Sequence, residues 1–531
     1  GVLGLATVSA DNAAFAAQTT DALALLGVAP EDRARFSLRA GVEVRSHGAL
    51  TLASPWNLAT ERPGGEAGAL TLRAAGTLTL AASLGDGFVS TAANAAPTGA
   101  ADTWALRLVA GADLGSADAL ATQAHSAADL VLAPNVRVRT GAASIEMAAA
   151  RDIVLGGSGT SAASVLVAGA PLAEASGVLD GLFARQLAKP RLTGQALRLE
   201  LEAGRDIVAA ESAQLPNTWL WRSGLIQPSG PEAGLYAATS QLAWWAEFAA
   251  FGQSLGAFGG AGLHVEAGRD IVNLQAMLPS VAWADQRDPQ QAALQTRGGG
   301  DLNVHAGRDL LGGQYLVAAG DGRLSAGRSV GQATANTAVP YVLLAQLDGG
   351  RFRVSARADL SLGGSHNPTL APSTSARNAI SRSFVSLGEG AGLELRAAAG
   401  DLALAVPRLT GSFGLADSIA LQAALGVLPP TLTAYATGGA LQLLGEQSAL
   451  LLPEAGADLR LWATGDLRLG TSADTTLAMS DAAPATWPDF RRPETAGAVL
   501  SNANAVLANA LSDNLPRSGL HAAGGEPVRV H

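Results

Sequence analysis

Cysteine is missing from the 531 residues, so disulfide bonds cannot hold this chain together. Charged residues make up only 15 % of it, and the acidic excess gives a net charge of −10. That balance disfavours nucleic acid as a partner, because phosphates require a basic surface. No apolar run reaches the roughly 18 to 20 residues that a membrane helix needs. The sequence therefore argues against a disulfide-stabilised domain, a nucleic-acid-binding protein and a helical membrane protein.

Aromatic residues are also scarce, at 5 %, whereas glycine occurs 63 times. Apolar residues still make up 48 % of the chain, which is enough to bury a core and excludes a disordered chain. The abundant glycine and alanine indicate an interior of small, tightly stacked side chains. Because the length exceeds the usual range of a single domain, the chain is either several domains or one repetitive rod.

One seven-residue motif recurs along the chain. Its closest copies are Leu-Glu-Ala-Gly-Arg-Asp-Ile at 201–207, Val-Glu-Ala-Gly-Arg-Asp-Ile at 265–271 and Val-His-Ala-Gly-Arg-Asp-Leu at 304–310. Around the first copy, Leu197, Leu199 and Leu201 alternate with polar residues, which predicts a strand with one buried face. The repeating unit is therefore predicted to be a strand, a tight bend and a second strand.

The bend of each unit is predicted at the Ala-Gly-Arg-Asp core. Glycine is expected to adopt a positive φ there without a Cβ penalty, and the aspartate is expected to accept hydrogen bonds from backbone N–H groups. An arginine beside each aspartate is expected to offset the repulsion between stacked carboxylates. The predicted structural turn residues are Gly204, Asp206, Gly268, Asp270, Gly307 and Asp309.

The spacing of the motif predicts how the units assemble. Arg308 and Arg328 are 20 residues apart. The intervals from Arg269 to Arg308 and from Arg205 to Arg269 are 39 and 64 residues. These intervals approximate one, two and three steps of about 20 residues, the length of one coil of a β-solenoid. We therefore expect one continuous all-β solenoid over residues 1–531, with roughly fifteen to twenty coils stacked ~4.8 Å apart and columns of aliphatic side chains inside.

Four segments depart from the repeat and are predicted to be short helical and loop insertions, at residues 11–27, 208–262, 411–453 and 484–513. The first of them reads as a helix that begins at an aspartate and ends at a glycine. Further helix candidates are Gln241–Phe258, Leu415–Gly426 and Ala496–Leu511.

The recurring Ala-Gly-Arg-Asp core between alternating strands resembles the filamentous haemagglutinin family, the large exoproteins of bacterial two-partner secretion. Residues 42–54 (Val-Glu-Val-Arg-Ser-His-Gly-Ala-Leu-Thr-Leu-Ala-Ser) and residues 70–80 are also similar to its members. The resemblance covers most of the chain and weakens in the insertions. It implies a right-handed parallel β-helix, export with an outer-membrane transporter as partner, and a place outside the bacterium or on its cell surface.

Members of that family act in adhesion, biofilm building or competition between bacteria. The lack of cysteine suits such export, since a disulfide formed early would hinder the passage of an unfolded chain. The sequence starts inside a repeat and without methionine, so we expect an internal segment of a longer polypeptide. Neither the family's secretion domain nor a toxin is recognisable in it.

The densest aromatic cluster lies in the predicted insertion 208–262. Exposed aromatic rings can stack on sugar rings or contact a protein, which makes the cluster a candidate contact patch. Its members are Trp219, Trp221, Tyr236, Trp244, Trp245, Phe248 and Phe251. The alternative interpretation is that Trp244, Phe248 and Phe251 pack an inserted helix onto the flank of the repeat, as their helical spacing favours.

Metal and catalytic sites are not predicted. A row of stacked aspartates could bind Ca²⁺, but the nonapeptide of calcium-binding solenoids is missing. The histidines lack metal-ligand spacing, and His264 and His305 are expected in solvent on the outward faces of their strands. No separate acid pair, Gly-x-Ser-x-Gly elbow or phosphate loop stands out. We therefore expect a protein that needs no cofactor and is not an enzyme.

The sequence thus predicts a secreted or cell-surface filamentous adhesin or scaffold whose insertions bind a surface glycan or a protein. One alternative is a structural subunit of an extracellular fibre or sheath, which would require self-association. The other is a β-helix enzyme acting on polysaccharide, since such folds can hold paired carboxylates in a groove.

Overall fold

The fold is predominantly β, with long parallel sheets and few helices, which confirms the all-β prediction. The helices are α1 (Leu5–Ala17) and α2 (Thr19–Leu25), with short 3₁₀ turns at Arg33–Arg35, Leu58–Thr60, Gly159–Ser161, Pro216–Thr218 and Phe248–Ala250. The computed structural model describes residues 1–36, 39–62, 65–170, 197–225, 241–284, 294–334, 340–370, 385–406, 426–445, 448–452, 454, 456–470, 475–480, 519–523 and 528–530.

Thirteen strands form one parallel sheet, the first ladder. Strands are numbered in chain order. The first ladder contains β1 (Gly41–Ser46), β4 (Ala69–Ala74), β7 (Ala105–Ala110), β10 (Ile145–Ala149), β13 (Arg198–Ala203), β18 (Gly262–Ala267), β23 (Leu302–Ala306), β26 (Asp321–Ala326), β29 (Arg351–Ala356), β31 (Gly392–Ala397), β34 (Thr431–Ala436), β37 (Asp458–Ala463) and β41 (Val528–Val530).

Twenty further strands form two parallel ladders that join at β30. The second ladder contains β2 (Leu50–Leu52), β5 (Leu78–Leu80), β8 (Leu130–Leu132), β11 (Ile153–Leu155), β14 (Ile207–Ala209), β19 (Ile271–Val272), β24 (Leu310–Leu311), β27 (Val330–Gly331), β30 (Leu360–His366), β32 (Leu402–Ala405), β35 (Leu441–Leu444) and β38 (Leu467–Leu469). The third ladder contains β3 (Trp56–Asn57), β6 (Leu84–Gly85), β9 (Arg137–Thr140), β12 (Ser164–Val167), β17 (Leu255–Ala257), β20 (Gln275–Leu278), β25 (Gln314–Val317) and β28 (Val342–Gln346).

Two four-stranded sheets complete the described structure. One is parallel and contains β33 (Val427–Leu428), β36 (Ala449–Leu451), β39 (Thr476–Ser480) and β40 (Gly519–Ala523). The other, which we call the side sheet, is antiparallel and contains β15 (Leu220–Leu225), β16 (Gln241–Ala246), β21 (Ser280–Ala284) and β22 (Leu294–Gly298).

The core consists of columns of aliphatic side chains that run from unit to unit. Leu199 of β13 pairs with Leu263 of β18, which pairs with Leu302 of β23, and all three are almost fully buried. Successive residues of a strand face opposite sides, so this register places the inward side chains of one strand directly beside those of the next strand. The result is one large hydrophobic cluster. Leu197 departs from the prediction: it precedes β13 and is 62 % exposed.

Two of the three predicted repeat intervals are wrong. Strands β13, β18 and β23, which lead into Arg205, Arg269 and Arg308, are direct neighbours in the first ladder. The intervals of 64 and 39 residues therefore each span one step, and the surplus residues build the side sheet. Within the described residues the first ladder consequently has thirteen strands, against a prediction of roughly fifteen to twenty coils for the whole chain. Its twelve steps of ~4.8 Å make it roughly 60 Å long.

The predicted insertions are narrower than expected. Within 208–262, β14 lies in the second ladder, β17 in the third, and β18 begins at Gly262. The described residues between β14 and β17, which are 210–225 and 241–254, lie outside the ladders. Within 411–453, β34 and β35 continue the first and second ladders, because their alternating apolar residues pair in register. Residues 411–425 and the predicted insertion 484–513 lie outside the described residues.

The prediction of a helix at Gln241–Phe258 is wrong. This range contains β16, the 3₁₀ turn Phe248–Ala250 and β17. A strand followed by a turn can produce the same apolar spacing as a helix, and here the pairing of β16 with β15 and β21 selects the strand. Helices do form in the predicted N-terminal segment, but α1 begins at Leu5 rather than at Asp11. Of Leu415–Gly426 only the last residue is described, and Ala496–Leu511 lies outside the described residues.

Candidate functional surfaces

The Gly-Arg-Asp elements lie between the first and second ladders and form a continuous row, which we call the Arg–Asp ladder. Arg269 Nε donates to Asp206 Oδ1 at 2.7 Å, and its Nη2 donates to Oδ2 of the same carboxylate. Each arginine thus binds mainly the aspartate of the preceding unit rather than its sequence neighbour, which lies farther away. The pairs are Arg151–Asp129, Arg205–Asp152, Arg269–Asp206, Arg308–Asp270 and Arg328–Asp309.

The aspartates of this ladder have their hydrogen-bonding capacity occupied. Besides the guanidinium, Asp206 Oδ1 accepts the backbone N–H of Asp270 at 3.1 Å. Burial alone would raise the pKa of Asp206, but the bonds from Arg269 and from that N–H outweigh it and hold the pKa below its ordinary value. The same balance lowers the pKa of Asp309. The arrangement is that of a structural clamp between units rather than of a calcium site.

The glycines of these turns have a different role from the predicted one. Gly204, Gly268 and Gly307 do not adopt a positive φ. Instead, a Cβ at Gly268 would lie 2.3 Å from the carbonyl oxygen of Gly204, and one at Gly307 would lie 2.3 Å from that of Gly268. Because consecutive turns stack backbone on backbone, a side chain at these positions would force the units apart.

Low pH is expected to destabilise the fold because it protonates the aspartates of the Arg–Asp ladder. In the folded protein, Asp129, Asp206 and Asp309 have pKa values below the ordinary value of 3.8. Their ionised carboxylates therefore stabilise the fold fully above pH 3.8, and this stabilisation is lost as the pH falls through the lowered pKa values. The unfolding temperature, followed by circular dichroism, should therefore fall steeply below about pH 4. Asp206→Asn should lower the free energy of unfolding by about 2 kcal/mol at neutral pH. Because the variant has one titrating carboxylate fewer, its unfolding temperature should fall less steeply with pH than that of the wild type.

A matched control is Asp466→Asn, because this carboxylate occupies an equivalent turn but its side chain is 68 % exposed beside Arg468. It should change neither stability nor the acid profile appreciably. An Asp206→Asn variant with the wild-type stability and the wild-type pH profile would contradict the assigned role of the Arg–Asp ladder.

The predicted aromatic contact patch is not exposed. Its six described members are all buried, namely Trp219, Trp221, Trp244, Trp245, Phe248 and Phe251. Tyr236 lies outside the described residues. Because buried rings cannot meet a ligand, the prediction of an exposed patch is wrong for these six residues.

Four of these rings, Trp219, Trp244, Phe248 and Phe251, pack the side sheet against the outer face of the third ladder, whereas Trp221 and Trp245 contact each other. Trp219 contacts Phe251 and Phe258 with ring centroids 5.2 and 5.8 Å apart, and Met277 and Leu316 join the same cluster from β20 and β25. The packing interpretation of the cluster therefore describes the structure, with a sheet in place of the inserted helix.

An aromatic pair with one exposed and one half-buried ring lies elsewhere, on the outward face of the first ladder. Tyr435 of β34 is the register partner of Trp462 of β37, and Trp462 is 41 % exposed. The exposed Arg396 pairs with Tyr435 from the other side, and the exposed Arg460 lies on the strand of Trp462. We call these four residues the aromatic strip. Sequence reasoning missed them because only the register brings the rings together.

A second unforeseen grouping surrounds His264. The predicted outward position of this side chain is correct, since it is partly exposed on β18. Its register partner on β13 is Glu200, and Glu202 lies on the same outward face. Burial and the carboxylates of Glu200 and Glu266 raise the pKa of Glu202. Sequence spacing did not reveal this group, because its members lie on different units.

A narrow crevice of about 180 Å³, its mouth included, opens beside β6 and β9. The acidic residue lining it is Asp86, whose carboxylate accepts Arg62 Nη2 at 2.5 Å and the backbone N–H groups of Gly87 and Trp104. Burial lowers the pKa of Arg139, which also lines the crevice, to about 10. A single carboxylate that is already bonded does not supply the acid pair that glycoside hydrolysis requires.

Comparisons with protein families, with characterised proteins and with solved structures found no match to this chain. Among the described residues, none of the helices has the length and apolar character needed to cross a membrane.

Proposed function

We propose that this chain is a segment of a secreted, rod-like surface protein that acts as an adhesin or scaffold and not as an enzyme. In this proposal the three ladders are the faces of a right-handed parallel β-helix, and each repeating unit is one coil. Export would use an outer-membrane transporter as partner, as the resemblance to filamentous haemagglutinins implies.

The observation that carries the proposal is the continuous parallel pairing of the first ladder from β1 to β41. Every unit in the middle of the first ladder is hydrogen-bonded to both of its neighbours. Between Asp129 and Arg328 the Arg–Asp ladder adds an ion pair at every step from one unit to the next. Such a stack resists bending because every interface repeats the same contacts. A stiff rod provides reach and a long outward face, which suits presentation of binding sites.

The aromatic strip offers the surface best suited to a ligand. Sugar rings stack on exposed aromatic faces, and Trp462 and Tyr435 lie on neighbouring strands ~4.8 Å apart. The exposed guanidinium groups of Arg396 and Arg460 flank them. Arg460 Nε is paired with Asp458 Oδ2 at 2.5 Å, so Arg396 is the main positive charge that would attract the carboxylate or sulfate groups of an acidic polysaccharide. An acidic surface glycan is therefore the proposed ligand class.

Replacing the exposed indole tests this ligand class. Trp462→Ala should weaken binding to acidic polysaccharides on a glycan array about tenfold, equivalent to ~1.4 kcal/mol, because it removes a stacking surface. Thermal stability should hardly change, since Trp462 is 41 % exposed. The control is Tyr341→Ala, which removes a ring of similar exposure, 40 %, outside the strip. Equal binding by the wild-type chain and both variants would remove the strip from the proposal.

Electron microscopy of the purified chain tests the rod itself. Separate rods of uniform width are expected. Regular filaments of identical subunits would favour the fibre-subunit alternative, and compact round particles would contradict both. Turnover of a polysaccharide that is abolished by replacing one acidic residue would overturn the non-catalytic assignment.

A further inference from the structure

The outward face of β13 and β18 brings two carboxylates and one imidazole together. Glu200 and Glu202 are two residues apart on β13 and therefore share a face. His264 lies directly opposite Glu200 on β18. One ligand atom from each of the three side chains lies within 4.8 Å of the others. Glu266, opposite Glu202, extends the group, with its Oε2 3.6 Å from His264 Nε2.

The charge balance at this group differs from that of the Arg–Asp ladder and of the neighbouring strand β10. There the carboxylates are matched by arginine: Asp206 has Arg269, and Glu146 has both Arg107 and Arg198. Around His264, by contrast, Glu202 and Glu266 form no ion pair with any arginine that the structure describes. Glu200 does have one, because Arg198, which also binds Glu146, lies 3.3 Å from it.

Glu200, Glu202 and Glu266 thereby bring three carboxylates together on one outward face, where their negative charges repel one another. A cation bound between these carboxylates would remove that repulsion. The imidazole indicates which cation: nitrogen together with carboxylate oxygen suits Zn²⁺, whereas Ca²⁺ and Mg²⁺ prefer oxygen ligands alone.

We propose that Glu200, Glu202 and His264 bind one divalent transition-metal ion of the Zn²⁺ class on the outer face of the first ladder. Glu266 is placed to serve as a fourth ligand or to orient the imidazole of His264. Because the ligands belong to two adjacent units, the bound ion would join these units on the side of the strand opposite the aliphatic core. This site goes beyond the proposed adhesin function and does not depend on it.

Isothermal titration of the untagged full chain with Zn²⁺ tests the proposal. We expect one site per chain with micromolar affinity, and a visible absorption spectrum with Co²⁺ that indicates nitrogen and oxygen ligands. His264→Ala and Glu202→Gln should each weaken Zn²⁺ binding at least about tenfold. Both side chains point outward, so circular dichroism and the unfolding temperature without metal should match the wild type.

The matched control is His47→Ala, which removes another exposed histidine far from this group. It should leave Zn²⁺ binding unchanged. The proposal is overturned if the wild-type chain binds no Zn²⁺, if His264→Ala binds as well as the wild type, or if Ca²⁺ displaces Zn²⁺ at equal concentration. The last result would mean that the carboxylates attract any divalent cation without a contribution from the imidazole.

Discussion

Gly268→Ala should destabilise the protein by about 3 kcal/mol, although it adds a single methyl group. The new Cβ would lie 2.3 Å from the carbonyl oxygen of Gly204, a backbone atom that cannot move aside alone. Separating the two units would stretch the bond from Arg269 N–H to the oxygen of Arg205, now 2.7 Å, and the ion pair between Arg269 and Asp206. Chemical denaturation followed by circular dichroism would measure the loss.

The control substitution lies at the start of β18, the strand that leads into Gly268. A Cβ at Gly262 would have its nearest contact at 3.8 Å, from the carbonyl oxygen of Asp301, and the backbone there needs no positive φ. Gly262→Ala should therefore be neutral or stabilise by about 0.5 kcal/mol, because alanine restricts the unfolded chain. Similar effects of the two substitutions would show that close stacking at Gly268 does not set the requirement for glycine.

Trp219→Ala should cost about 4 kcal/mol, the largest effect expected from a single side chain in the cluster beneath the side sheet. Trp219 is fully buried, contacts Phe251 and Phe258 edge to face, and donates its indole N–H to Gln253 Oε1 at 2.6 Å. Its removal leaves a large cavity and an unpaired amide oxygen between the side sheet and the third ladder.

The loss should be local. Hydrogen exchange should speed up in β15 and β16, which this cluster holds in place, while the amides of β18 in the first ladder keep their protection. Trp462→Ala serves as the control, since an exposed ring leaves no cavity. Equal loss of protection in β16 and β18 would show that the side sheet and the ladders unfold as one unit, contrary to this expectation.

Much of the repeat could be predicted from sequence because strand alternation is local. Leu199 and Leu201 read as inward residues, and Glu200 and Glu202 as outward ones, from positions alone. The order of units in the first ladder was harder to predict. A 64-residue interval can contain three coils or one coil with an insertion, and only the pairing of β13 with β18 distinguishes these.

The aromatic segment shows why local spacing can mislead. Trp244 and Trp245 are consecutive and face opposite sides of β16, yet both are buried, because partners exist on each side. Trp245 pairs with Trp221 across the strands at a centroid distance of 6.3 Å, and Trp244 joins the cluster under the sheet. Those partners lie far from Trp244 and Trp245 in the sequence, so local spacing could not reveal them. The helical spacing of the aromatic residues therefore predicted a helix where the structure has a strand.

The sequence by itself determined the β character, the inward aliphatic columns and the positions of the Gly-Arg-Asp turns, since each depends on residues within one unit. Tertiary structure alone decided which aspartate each arginine binds, why Gly268 must be glycine, where the exposed rings lie and that His264 meets Glu200 and Glu202. All four depend on the register between units that are distant in the chain. That register is set by the parallel pairing of whole repeating units rather than by local residue preference.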